Sequence, residues 1–443
     1  MTTGSLGKQV LALSLPSTAE NALLSIIQLV LAFWMGRVSD TALAAVAMGT
    51  TLRITLISPM MGLSAGGMAV VARHVGARDP RRADHAVMQT ILLITFFVVP
   101  LSLLGQIMGN TFLGWMGATG TLREEALAFL RIIFGGLFFM EMLPSLNGVI
   151  RGAGHPEYTL RISAVQVLML LLLAPVLSLG IGPFPALGVR GAAWASILAS
   201  ASGVGVQFLT LLSGKVGVRI HWRDVRPDRA MMASILKIAL PTSLERLSPN
   251  LANALLMRLA SSFGNSALTA YSIITQIFMF LQALPRGIGG AAATLVGQNL
   301  GAKQPTRAEH AAGLATRSAT IAAVIAFGLL TLWPTAFLGF FDPPEDVLAA
   351  GTLLARYAPA IGATITWSTI MGMALAGAGD AISPMLVSMS ALWLVQIPLA
   401  WAFTQAWGLG PSGIMAGITT SYLVSAVALT LRFRQGRWKT IEV

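Results

Sequence analysis

Apolar residues run along this chain in long blocks, parted by short stretches that gather glycine, proline and charge. Two blocks show the pattern, "AVMQTILLITFFVVPLSLLGQIMG" at 86–109 and "SAVQVLMLLLLAPVLSLGIG" at 163–182. A helix crosses the hydrocarbon core of a bilayer when about 20 successive residues are mainly apolar. Twelve segments meet that condition, near 10–36, 41–72, 84–112, 122–150, 158–181, 188–213, 232–261, 266–298, 308–334, 346–376, 382–408 and 412–434. The expected fold class is an all-α polytopic membrane protein with twelve transmembrane helices.

Composition agrees. Of the 443 residues 55% are hydrophobic and only 10% charged, where a soluble chain carries about a quarter charged residues. The opening "MTTGSLGKQ" has one Lys and no cleavage-site pattern, and the first apolar stretch contains Pro16 and Glu20. It is expected to stay as a helix rather than act as a signal. With no cysteine, disulfides, thiolate metal sites and cysteine nucleophiles are excluded.

The formal charge of +12 has an address. Lys8, the 2–3 loop, the 4–5 loop, the 6–7 loop, the 8–9 loop and the tail together hold eighteen Lys and Arg. The opposite loops hold three, Arg37, Arg123 and Arg190. Basic loops stay on the cytoplasmic side, so both termini are expected there. The bias explains the basic charge by topology, without a nucleic acid.

The chain also repeats itself. "VGARDPRRADHA" at 75–86 returns as "LGAKQPTRAEHA" at 300–311, so Gly76, Pro80, Arg82, Asp84 and His85 stand 225 residues before Gly301, Pro305, Arg307, Glu309 and His310. Pro16 and Glu20 match Pro241 and Glu245 at the same offset. So do "TALAA" at 41–45 and "SALTA" at 266–270, Arg131 and Arg356, and the glycines of "RGAG" at 151–154 and "AGAG" at 376–379. The chain therefore reads as two six-helix halves, 1–214 and 232–443, joined by a basic linker at 215–231. An even helix count gives both halves the same direction, with a pseudo-twofold axis along the membrane normal. In the doubled turn Gly76 and Gly301 are expected as left-handed helix ends, Pro80 and Pro305 as helix starts, and Asp84 and Glu309 as partners of a helix dipole. The linker is expected to make no substrate site.

These features together resemble the multidrug and toxic compound extrusion (MATE) family: the helix count, the paired P-x-x-x-E starts, the doubled turn, and "RGAGHPEYTL" with "AGAGDAISPM". The resemblance covers essentially the whole chain. It implies two six-helix bundles and export of amphiphilic, often cationic compounds in exchange for protons or sodium ions. Two departures stand out. Where one branch has an Asp near the end of the first helix this chain has Leu31, and where another has an acid in the seventh helix the place lies near Pro249.

Three carboxylates fall well inside predicted spans: Glu20, Glu141 and Glu245. A charge at mid-bilayer costs at least about 2.5–3.5 kcal/mol, and such residues mark ion or substrate paths. They are the candidate proton-coupling groups, Glu20 leading and Glu245 following. The competing reading is a carboxylate neutralised by a nearby arginine, with Arg131 and Arg246 as partners. Pro16 and Pro241 each lie one turn before an acid and free a carbonyl there, which makes them candidate hinges. Gln28 and Asn253, eight residues beyond the acids, share their helix face and are candidate cavity residues, with Met140 and Met142 beside Glu141. Arg53, Arg258 and Arg286 have no repeat partner and no assigned place.

The leading function is a secondary antiporter of small amphiphilic or cationic compounds, without cofactor, metal or nucleotide. Protons are the expected coupling ion and sodium the alternative. No G-x-x-x-x-G-K-[ST] loop is present for ATP. A flippase for lipid-linked precursors is the second reading, since the unmatched arginines suit a pyrophosphate. A membrane-embedded transferase is the third and needs larger loops than these, so the chain is expected not to be an enzyme. The expected setting is a monomer in a bacterial-type inner membrane. A tag fused after Val443 is expected to be reached by an impermeant label only after the cells are opened; labelling in intact cells would refute the topology.

Overall fold

The computed structural model describes residues 2–182, 185–221 and 225–441, without the side chains of Ser25, Ile26, Gln28, Leu29 and Asn250. Among the described residues all regular structure is helical. α1 spans Leu6–Val38, α2 Asp40–Ile57, α3 Leu63–Gly76, α4 Pro80–Trp115, α5 Gly120–Gly135, α6 Leu137–Gly152, α7 Pro156–Leu179 and α8 Val189–Ser213. α9 spans Arg229–Ser261, α10 Asn265–Leu281, α11 Ala283–Gly301, α12 Pro305–Leu332, α13 Pro334–Gly339, α14 Glu345–Ala355 and α15 Ala358–Gly377. α16 (Ile382–Ser390) and α17 (Ile397–Trp401) continue one another through wider π-helical turns, and α18 is Ser412–Arg434.

Among the described residues nine helical stretches are long and apolar enough to cross a membrane, or ten if α5 and α6, bent by 55°, count as one. The 33-residue helices α1 and α9, each about 50 Å long, bring the series to the expected twelve. Breaks within spans were not expected. The second span breaks between α2 and α3, at Ser58–Met60, and the eighth breaks at Gln282. Pro59 and Pro285 stand close to these two breaks, as expected of residues that interrupt a helical ladder.

The chain forms two compact units, one of residues 19–243 and one of residues 1–18 with 244–443. The divisions fall two residues beyond Pro16 in α1 and two beyond Pro241 in α9, rather than at the 215–231 linker. In the first unit α7 lies along α8, α3 along α6, and α2 and α4 along α5. In the second α15 lies along α11, α12 and α18, and α10 along α14. Phe278, Phe327, Leu330, Ile361 and Met415 centre one apolar cluster of that unit. Val10 and Leu13 of α1 join Ile288, Leu295 and Ile370 in another.

The repeated glycines let helix backbones touch. A Cβ on Gly152 would sit 2.4 Å from the carbonyl oxygen of Met68, and one on Gly377 2.4 Å from that of Ala293. Met68 and Ala293 are themselves 225 residues apart, so each half makes the same contact. Gly154 and Gly379 serve otherwise: their φ values of 96° and 99° are cheap only for glycine. In the doubled turn the left-handed residues are not Gly76 and Gly301, which stay within their helices, but Arg78 (φ 57°) and Lys303 (φ 58°). Asp79 N–H donates to His74 O and Gln304 N–H to Asn299 O, the six-to-one bond of a Schellman end. That bond fixes the left-handed place two residues beyond each glycine. Pro80 and Pro305 open α4 and α12 as expected.

Asp84 is not chiefly a dipole partner. Its Oδ1 accepts from the backbone N–H of Arg219 at 2.6 Å, and its Oδ2 lies 3.1 Å from His221 Nε2. The linker is thus strapped to the start of α4, with Val216, Val218 and Ile220 buried at alternate positions, as an extended segment requires. Gln89 adds bonds to Arg226 O and Asp228 N–H. Asp228 caps α9 through the N–H groups of Met231 and Ala230 and faces His85. These donors, Met231 first, hold its carboxyl below the usual carboxylate range. The second half uses its tail in the same way. Gly436 turns left-handed, Trp438 is fully buried and stacked on Phe433, and Lys439 pairs with Glu309.

Gly152→Ala and Gly377→Ala are each expected to destabilise the protein. Helix propensity favours alanine by about 1 kcal/mol, but a clash with backbone cannot be relieved by a rotamer and overpacking costs about 1–3 kcal/mol. Thermal unfolding in detergent should show both melting points lowered; a rise in either would remove the close-approach account.

Candidate functional site

Glu20, on α1, is 1% exposed and held by three donors. Asn147 Nδ2 and Arg151 Nη1 of α6 reach it at 2.9 Å and 3.1 Å, and Thr159 Oγ1 of α7 at 2.6 Å. Asn147 is fixed in turn by Gln207 of α8, whose Nε2 donates to its Oδ1 at 2.7 Å, and it donates to Ser163 Oγ at 3.4 Å. An ionised buried group is tolerated when it is paired and its lone pairs are filled, and here both conditions hold. The arginine that pairs with Glu20 is Arg151, on a neighbouring helix.

Glu141, on α6, is 7% exposed and accepts from Arg53 Nη1 of α2 at 3.1 Å. Arg53 thereby gains a place. It lines a small, partly open pocket with Thr50, Met140, Gln166, Ser196 and Ser200. Leu31 lines the same pocket. Met140 therefore borders the pocket, whereas Met142 is fully buried.

Glu245, on α9, is partly buried and its Oε1 accepts from Ser388 Oγ of α16 at 2.9 Å. Among the described residues no Arg or Lys forms an ion pair with it. The repeat explains why. Ser388 stands 225 residues after Ser163, but the positions matching Asn147, Arg151 and Thr159 are Gly372, Ala376 and Pro384. None of these can donate from a side chain, and a Cβ on Gly372 would come within 4.0 Å of Glu245 Oε1. One carboxylate is enclosed by donors; its counterpart keeps a single hydroxyl. Asn253 Oδ1 accepts from Tyr271 OH at 2.8 Å, and Ser248 Oγ from Trp393 Nε1 at 2.8 Å. Gln28 has its side chain outside the described residues. Pro16 and Pro241 lie within continuous helix, upstream of their acids.

The donors Asn147, Arg151, Thr159 and Gln207 escaped sequence reasoning, because no local pattern marks the partner of an acid more than a hundred residues away. Ser163 and Ser388 could have been found by extending the repeat. Among the described residues no group of three His, Asp or Glu side chains could hold a metal ion.

The MatE family profile matches residues 16–176 and again 241–402, so the two matches begin at the paired prolines. The chain belongs to the MatE family. It is 25% identical over 436 residues to the probable multidrug resistance protein YoeA of Bacillus subtilis, covering 97% of this chain and 93% of that one. It is 24% identical to the FAD transporter of Shewanella oneidensis, covering 89% and 87%. A solved outward-facing multidrug resistance MATE family transporter superposes with a TM-score of 0.91 at 21% identity, over 99% and 98% of the two chains. MatE membership identifies this chain as a membrane transport protein and not an enzyme, with the MATE fold.

Arg151→Met is expected to leave the Glu20 carboxylate without its countercharge. Removing one partner of a buried pair costs about 3–5 kcal/mol, and the low end applies because the Arg151 side chain is 20% exposed. Adding Glu20→Gln should restore most of the loss. Unfolding of the two single variants and the double variant measures this; equal stability of Arg151→Met and the parent would show that the pair carries no weight.

Proposed function

We propose that this MatE protein is a secondary antiporter that exports small amphiphilic or cationic compounds in exchange for protons. It works as a monomer in a bacterial-type inner membrane, with both termini cytoplasmic and no nucleotide or cofactor. The observation that carries the reading is the contrast between Glu20 and Glu245. A carboxylate held by one hydroxyl can take a proton without breaking an ion pair, and as a free acid it can donate to the same serine oxygen. Glu245 is therefore placed ahead of Glu20, which would have to release Arg151, and of Glu141, which would have to release Arg53.

The coupling follows from linkage. A substrate cation beside Glu245 favours the ionised form, and a proton arriving from outside removes that attraction and helps release the cation; each ligand weakens the other by the same factor. Pro241, one turn before the acid, gives α9 a place to bend when the charge changes. Sodium remains the alternative ion, but it needs several converging oxygens, and among the described residues Glu245 accepts a hydrogen bond from Ser388. The flippase reading loses one support, since Arg53 is occupied by Glu141.

The test is export of a cationic dye by inverted vesicles under an imposed pH gradient and, separately, a sodium gradient. The pH gradient should drive export. Glu245→Gln should lose at least about tenfold in rate, equivalent to about 1.4 kcal/mol, while its melting point stays near that of the parent. Undiminished export by Glu245→Gln would remove that acid from the mechanism, and export on sodium alone at zero pH gradient would overturn the ion.

A further inference from the structure

Arg286 lies on α11, within the single apolar stretch Asn265–Gly301. Counted over that stretch, which breaks at Gln282, it is at least about 20 Å of helical rise from either end, too far for a side chain to reach the interface by stretching. Charged residues at such depth are rare and mark functional sites. The first unit pairs Arg53 with Glu141 and Arg151 with Glu20. Arg286 is different. Among the described residues it forms no ion pair, and its Nη2 makes only a 3.4 Å contact with Gln282 Oε1, too long for a strong bond. Its side chain is nevertheless accessible.

The surroundings are selective. Tyr271 of α10 is buried in the apolar cluster of this unit, and Tyr422 of α18 packs against it. The second unit holds Glu245, bonded to Ser388, and Arg286, which has no ion pair among the described residues. The repeat places Met61 opposite Arg286, so the cation belongs to this half alone and is not part of the shared scaffold. A guanidinium presents planar donors suited to carboxylate or phosphate oxygens.

We propose that Arg286 is a binding residue for an anionic group, carboxylate or phosphate, on an amphiphile whose cationic part lies toward Glu245. This rests on the antiporter reading and narrows its cargo from cations to molecules that also carry a negative charge. The anionic group is supplied either by a transported solute or by a lipid headgroup.

The test uses the full chain in nanodiscs, with no gradient. Rhodamine B has a free carboxylate, and its ethyl ester has the same ring system without one. In phosphatidylcholine discs, fluorescence anisotropy should show the acid bound about tenfold more tightly than the ester, or about 1.4 kcal/mol. R286Q should bind both alike, and R286K should keep part of the preference. In a second arm, native mass spectrometry after exposure to phosphatidylglycerol should show lipid retained by the parent and lost by R286Q if the headgroup is the source. Either Arg286-dependent result supports the proposal and names the source of the anion. A preference for the acid that survives R286Q overturns it. So does equal binding of acid and ester by the parent, together with equal lipid retention by parent and R286Q. If R286Q fails to fold, the parent's preference and its partial survival in R286K decide; a parent without preference, or an R286K that loses all of it while R286Q cannot be measured, counts against the proposal. Lack of dye export with an intact preference would overturn the antiport reading and leave this one standing.

Discussion

A charge placed in hydrocarbon must be answered by another group, and the way each acid is answered sorts the two halves of this protein. Glu20 is answered in full, by an amide, a guanidinium and a hydroxyl from two neighbouring helices. Glu141 is answered by Arg53. Glu245 accepts one hydroxyl hydrogen bond, from Ser388, and its apolar repeat positions offer no further donor. The same scaffold thus holds a locked acid in one unit and a loosely held one in the other. Their difference lies in three substitutions on partner helices, at Gly372, Ala376 and Pro384, and not in the acids themselves.

Much of the scaffold is set by contact between backbones. α6 approaches α3, and α15 approaches α11, at glycines whose Cβ would strike a carbonyl oxygen. Small residues at such crossings let helices associate closely where water gives no hydrophobic drive. The network around Glu20 depends on this. Asn147 and Arg151 flank Gly148 and Gly152 on α6, and Gly148 itself leaves no room for a Cβ beside Ser64 O. A wider crossing would carry the donors away from the acid.

The series of helices could be read from the sequence because hydrophobic length is a local property, and the duplication because one offset persists over most of six helices. The paired acids and prolines could be read for the same reason. The rest was hidden by its physics. Arg151 meets Glu20 from 131 residues away, and sequence spacing says nothing of such a pairing. The linker looked like basic loop because its charges are conspicuous, while the alternation of Val216, Val218 and Ile220 has only three apolar positions. Gly76 and Gly301 invited a left-handed assignment that Arg78 and Lys303 take instead, since the six-to-one bonds from Asp79 and Gln304 decide which residue turns.

The two straps have a consequence for ancestry. Each half ends in a left-handed glycine and a short extension that folds back to the acid of its own doubled turn, Asp84 in one case and Glu309 in the other. A chain of half this length would already be sealed at its end by such an extension. Fusing two copies head to tail then needs no new junction, only a few more residues between the first extension and the next helix. The doubled turn is thus the docking point that both halves share.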